Sequence, residues 1–189
     1  MRMVPTIVQK EDPVLRRKAV EVPLKDISSA KIKKILKDMA LALSTQDDGV
    51  AIAAPQIGVS LRIFLVSKGA LNFPSGLEER RMMGNRAELK KTAGYLTFIN
   101  PVITKLSRDR AVLDEGCLSV RPLYGKIKRS KKATVTAYDE NGVLFTRGAS
   151  GLLAQIFQHE TDHLEGILFI DKATNLREMP GEDELGSKN

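Results

Sequence analysis

From Ile27 to about Leu43 the apolar residues Ile32, Ile35, Leu36, Met39, Ala40 and Leu43 recur at helical spacing, with Lys31, Lys33, Lys34 and Lys37 between them. The pattern predicts an amphipathic helix near the N-terminus with a wet basic face, started by Ser28 or Ser29 as cap. A second helical stripe joins Leu152, Ile156, His159 and His163 at i, i+4, i+7 and i+11, with Ser150 as expected N-cap and Gly166 as expected stop. Between the helices, Leu61 to Val66 and Leu96 to Ile103 read as buried strands. Residues 133–138 and 143–146 alternate as a hairpin around the turn Asp139-Glu140-Asn141-Gly142.

The remaining segments are less regular. Pro5, Pro13 and Pro23 make residues 1–25 an extended stretch. Gly49 to Gly58 is dense in small residues, which let backbone approach a strand or a ligand, and Gln56 is its one strongly polar side chain. Gly69, Pro74, Gly76, Gly84 and Gly94 surround the charged run Glu78-Glu79-Arg80-Arg81, so 67–95 is expected as a surface insertion with no chemistry. After Asp171 the composition turns polar, and 173–189 is expected as a partly disordered tail. The order of elements predicts an α+β domain over 1–172, with mostly antiparallel sheets around a central metal-binding helix.

The late stripe carries the chemistry. It holds both histidines of the chain, and positions i and i+4 of a helix share one face, so His159 and His163 can meet one metal ion. Glu160 is placed to act on a water beside that metal as general base. A catalytic site usually takes a third protein ligand. Six residues after His163, where a metzincin would have histidine, stands Phe169. Downstream carboxylates Asp171, Glu178 and Glu182 are candidates for a thermolysin-like zinc endopeptidase, and the lone cysteine, Cys117, is the other possibility.

Length and composition bound the rest. A chain of 189 residues is one domain with a full core, and a single cysteine excludes an internal disulfide. No signal peptide or membrane-length apolar run is read, which predicts a soluble cytoplasmic protein. The formal charge of +7 leans toward acidic partners, and Lys126, Lys128, Arg129, Lys131 and Lys132 cluster, but no specific nucleic-acid motif accompanies them.

Three separated segments then point to one family. Gly49-Val50-Ala51-Ile52-Ala53-Ala54-Pro55-Gln56, Glu115-Gly116-Cys117-Leu118-Ser119 and Gln158-His159-Glu160-Thr161-Asp162-His163 resemble the three motifs of peptide deformylases, and Pro13-Val14-Leu15-Arg16 is similar to that family's N-terminal segment. The likeness runs over nearly all of residues 4–172. One departure is Ala51, where the family usually has glycine: a positive φ there would cost alanine of order 1 kcal/mol, whereas a need for bare backbone would make its methyl narrow the groove.

The resemblance implies Cys117, His159 and His163 as metal ligands, with Fe²⁺ as working metal and Zn²⁺, Ni²⁺ or Co²⁺ able to replace it. It implies hydrolysis of the formyl group of N-formylmethionine on new peptides, with Glu160 as general base and Gln56 and the Leu118 N–H as oxyanion donors. Val50, Leu152 and Ile156 match its methionine pocket; Val50, Ala51, Gly116 and Leu118 would border the peptide, and Arg129 would support the motif aspartate, Asp162. N-formylmethionyl peptides are the implied partners, with room for a transient ribosome contact. A catalytically weakened ribosome-associated binder is the non-enzymatic alternative.

Overall fold

The protein, seen here as a computed structural model, is described over residues 4–72 and 94–178. Strands β1 (Ala51–Ala53), β2 (Ile63–Ser67), β3 (Tyr95–Leu106), β6 (Lys132–Tyr138) and β7 (Leu144–Ser150) form one sheet in the order β1-β2-β3-β6-β7. Strands β4 (Arg110–Gly116), β5 (Leu123–Ser130) and β8 (Thr174–Glu178) form a second, in the order β4-β5-β8. Every named pairing is antiparallel. The helices are α1 (Ala30–Ser44) and α2 (Gly151–Leu164).

The five-stranded sheet is covered on both faces, and strand alternation assigns the sides. Phe64 and Val66 of β2 join Phe98, Leu152, Ile156 and Phe157 in the cluster beneath α2. Ile63 and Leu65 face the other way, toward Met39, Ala42 and Leu43 of α1. A strand buried on both sides has no polar face, which is why β2 reads as an unbroken apolar run. Phe64 stacks on Phe98 with ring centroids 4.5 Å apart, and Phe157 meets Phe98 edge-on at 5.2 Å. A third cluster, Leu15, Val120, Ile127, Leu168 and Phe169, lies under the three-stranded sheet.

Several boundaries differ from the sequence reading. The apolar repeat starts at Ile27, but helix α1 itself begins at Ala30 because Ser29, one of the two expected caps, takes that place: its Oγ accepts the Ile32 N–H at 3.3 Å. The proline-rich start is mostly extended but holds short 3-10 turns at Pro13–Arg16 and Leu24–Asp26. Ser150 sits at the N-cap of α2 without any side-chain cap bond. Strands β4 and β5 were not expected from the pattern, and the polar stretch after Asp171 opens with β8, whose residues are all exposed and held by pairing with β5. Of the 67–95 insertion, Ser67 closes β2, Lys68–Asn72 form a 3-10 turn, Gly94 O accepts the Lys68 N–H and Tyr95 opens β3; residues 73–93 lie outside the described residues.

Candidate metal centre

Helix α2 presents both imidazoles from one face, with ring centroids 4.9 Å apart and planes at 76°. Cys117, just past the end of β4, brings its Sγ to 3.2 Å from His163 Nε2. One donor atom from each of Cys117, His159 and His163 lies within 4.8 Å of the others, so the donor set of one sulfur and two imidazole nitrogens fits a single transition-metal ion. Among the described residues these are the only three His, Cys, Asp or Glu side chains so gathered.

The ligands are held from behind. His159 Nδ1 pairs with Glu115 Oε1 at 2.7 Å, which turns its Nε2 toward the shared space. Arg129 grips both Glu115 oxygens, at 2.6 and 3.1 Å, and donates to Asp162 Oδ2 at 2.6 Å. Gln155 Nε2 donates to Glu115 Oε2 at 3.1 Å, and Lys172 Nζ to Asp162 Oδ1 at 2.8 Å. Two more donors converge on the sulfur: the Ser119 N–H at 3.4 Å and Gln56 Nε2 at 3.5 Å. Gln56 is fixed in turn, since its Oε1 accepts the Ala53 N–H at 2.8 Å and its Nε2 reaches Ser119 Oγ at 3.2 Å.

Burial and charge divide the ionisable groups. Burial alone would raise Glu115, but the paired His159 and the Arg129 guanidinium outweigh it and hold this carboxyl well below its usual range. Burial would likewise depress His159, yet Glu115 and the neighbouring Cys117 sulfur bring its pKa well above the ordinary imidazole value. For His163 burial wins, reinforced by His159, and the ring is kept neutral. Glu160 is 3% exposed, and burial, opposed by His159 and aided by Glu115, lifts its pKa to about 7. Glu160 Oε2 has no hydrogen-bond partner within the described protein.

A pocket opens beside this group, and the expected substrate contacts line it together: Val50, Ala51, Gly116, Leu118, Leu152 and Ile156, with Gln56, Cys117, His159 and Glu160. Ala51 has no positive φ, so the methyl carries no left-handed strain; it meets the pocket as added bulk. Val50 O accepts the Ser67 N–H, and the β1–β2 register therefore turns the Ala51 N–H and C=O to the open edge. The pocket thus lies between two edge strands, β1 of one sheet and β4 of the other.

Among the described residues the alternative third ligands do not join the gathered group. Asp171 Oδ2 takes Arg16 Nη1 at 2.5 Å and the Leu168 N–H at 2.9 Å. Glu178 is an exposed end of β8, and Glu182 lies outside the described residues. Arg129, which lies in the basic cluster and was expected from the resemblance to support Asp162, is 5% exposed and faces the centre, because β5 alternates and Lys128 faces outward. Glu115, Gln155 and Ser119 were given no role from sequence. The spacing of Glu115 and Cys117, two apart on one side of an extended chain, was the available signal.

Comparison with known proteins agrees with this arrangement. The polypeptide deformylase family profile matches residues 4–179. Peptide deformylase 1A, chloroplastic/mitochondrial, of Arabidopsis thaliana is 39% identical over 168 residues, 89% of this chain and 61% of that protein. The chain spans about three fifths of the length of such plant relatives. A peptide deformylase of Thermomicrobium roseum is 39% identical over 182 residues, 95% of this chain and 93% of that one. The crystal structure of a class I type b peptide deformylase from Acinetobacter baumannii bound to Met-Ala-Ser superposes with a TM-score of 0.76 at 26% identity, over 91% of this chain and 99% of that one. Among the described residues no helix is long and apolar enough to cross a membrane. The matched residues 4–179 hold all three motifs and the gathered sulfur and imidazoles: the chain belongs to the polypeptide deformylase family.

Proposed function

We propose that this protein hydrolyses the formyl group from N-formylmethionine at the start of newly made peptides, releasing formate and a free amine. The observation that carries the reading is the convergence of Cys117, His159 and His163 beside a buried, unpartnered Glu160. These three side chains would hold a divalent cation, Fe²⁺ by family likeness with Zn²⁺, Ni²⁺ or Co²⁺ as substitutes. When bound, such an ion supplies Lewis acidity, lowering the pKa of a coordinated water toward about 7 and polarising a carbonyl.

Glu160 takes the proton of the attacking water and delivers it to the amine nitrogen as the C–N bond breaks, a cycle suited to a carboxyl whose pKa lies near 7. Gln56 Nε2 and the Leu118 N–H supply donors where negative charge develops on the formyl oxygen. Val50, Leu152 and Ile156 offer an apolar recess for the methionine side chain. The edges of β1 and β4 offer main-chain groups to an extended peptide, and the Acinetobacter relative is described with Met-Ala-Ser, a product-like tripeptide. Asp162 and Arg129 keep the helix and the His159–Glu115 pair in register. A thiolate ligand suits the reducing cytoplasm, and the exposed Lys128, Lys131 and Lys132 leave a basic surface for transient contact with a ribosome.

The test is formate release from formyl-Met-Ala-Ser by protein loaded anaerobically with Fe²⁺, beside a Glu160→Gln variant. We expect turnover that falls by about 10²-fold or more in the variant. Release no greater than that of the variant would leave the fold as a binder and overturn the enzymatic reading.

A further inference from the structure

At the outer end of the pocket two chain segments are tied across its mouth. Asp48, on the approach to β1, lines the pocket, as does Tyr124 of β5. Arg121 Nη2 donates to Asp48 Oδ1, and the Tyr124 hydroxyl donates to Asp48 Oδ2 at 3.3 Å. The Tyr124 ring packs closely against Gly116: a Cβ built there would stand 2.4 Å from Tyr124 Cε1. The tyrosine therefore forms a wall beside the β4 edge while its hydroxyl reaches the β1 side. Asp48 and Arg121 are 41% and 44% exposed, so the pair remains open to a peptide that passes between the two edges.

Resting on the deformylase reading, we propose that the Asp48–Arg121 pair, braced by Tyr124, sets the charge preference for the peptide residues immediately after the methionine. The apolar recess and the metal-capable group account for the first residue, and the chain that follows must leave through this mouth. With both charges present each largely offsets the other's pull on a passing peptide. Removing either partner leaves one charge uncompensated beside the path of the peptide. Asp48→Asn exposes Arg121 and selects acidic peptides; Arg121→Gln exposes Asp48 and selects basic ones. Unit charges several ångströms apart near a protein surface translate into a change of about 3- to 10-fold in selectivity at low salt.

The experiment measures kcat/KM for formyl-Met-Xaa-Xaa-Ser peptides in which Xaa is Glu, Lys or Ala, using Fe²⁺-loaded wild type, the two variants, their double variant and Lys131→Gln on the distant β5–β6 turn. The proposal expects the Glu/Lys ratio to rise in Asp48→Asn, fall in Arg121→Gln, return near the wild-type value in the double variant and stay put in Lys131→Gln. Raised salt should shrink both shifts, since the Debye length is about 8 Å at physiological ionic strength. Dividing each rate by that for the Ala peptide removes any general loss from misfolding. Shifts of the same sign in the two variants, an unaltered ratio or an equal shift in Lys131→Gln would overturn the proposal. Failure of wild type to cleave even the Ala peptide would instead sink the deformylase reading beneath it.

Discussion

Gln56 is 1% exposed, and both ends of its amide are used: Oε1 holds the Ala53 N–H while Nε2 faces Ser119 Oγ and Cys117 Sγ. Buried polar side chains persist where partners are fixed, and here the fixed donor end faces the pocket. Gln56→Leu is expected to lower kcat by about 10²-fold or more while KM changes far less, because the donor matters most once charge appears on the oxyanion. Steady-state kinetics of formate release checks this, and an unchanged kcat would remove Gln56 from the reaction. Residues of this kind were legible in sequence because their neighbours carry motifs. Glu115 was given no role although it opens the second motif, since its partner His159 is 44 positions away and only its place two residues before Cys117 hints at the pair. Arg129 stands among wet lysines, so the charge pattern did not single it out; the family likeness did, and strand pairing shows that it faces inward.

Helix α2 depends on how it ends as much as on its apolar stripe. The Gly166 N–H bonds His163 O at 3.1 Å and the Ile167 N–H bonds Asp162 O at 2.9 Å, a left-handed stop with Gly166 at φ 74°. A Cβ there would lie 2.8 Å from the backbone C and O of Arg16, so the bare residue lets the N-terminal segment rest on the end of the helix. Gly166→Ala should cost at least about 1–2 kcal/mol from the left-handed conformation alone, a fall of roughly 2–8 °C in Tm. Thermal denaturation of the metal-free protein followed by circular dichroism tests it, and an unchanged Tm would mean that the turn relaxes freely. The helices and the doubly buried β2 were readable from spacing because burial selects apolar residues at fixed periods. The strands β4, β5 and β8 were not: their outward faces carry lysine, arginine and threonine, and main-chain pairing between distant segments holds them.

Over the whole molecule, α2 is the meeting point of two sheets, resting on the five-stranded one through Leu152, Ile156 and Phe157 and tied to the three-stranded one through Gln155, His159 and Asp162. The α+β class followed from the order of periodic segments, but the division into two sheets did not, since strand order depends on pairings between remote residues. That division leaves β1 and β4 facing a common gap, and the gap has rails on both sides. Successive amides of an extended guest point alternately left and right, so neither orientation is idle in such a slot. Proline has no N–H to give either rail, and a peptide that carries it directly after methionine would forfeit a rung. Formyl-Met-Pro peptides are therefore expected to be deformylated more slowly than their alanine counterparts, and equal rates would mean that the guest is gripped by its side chains alone.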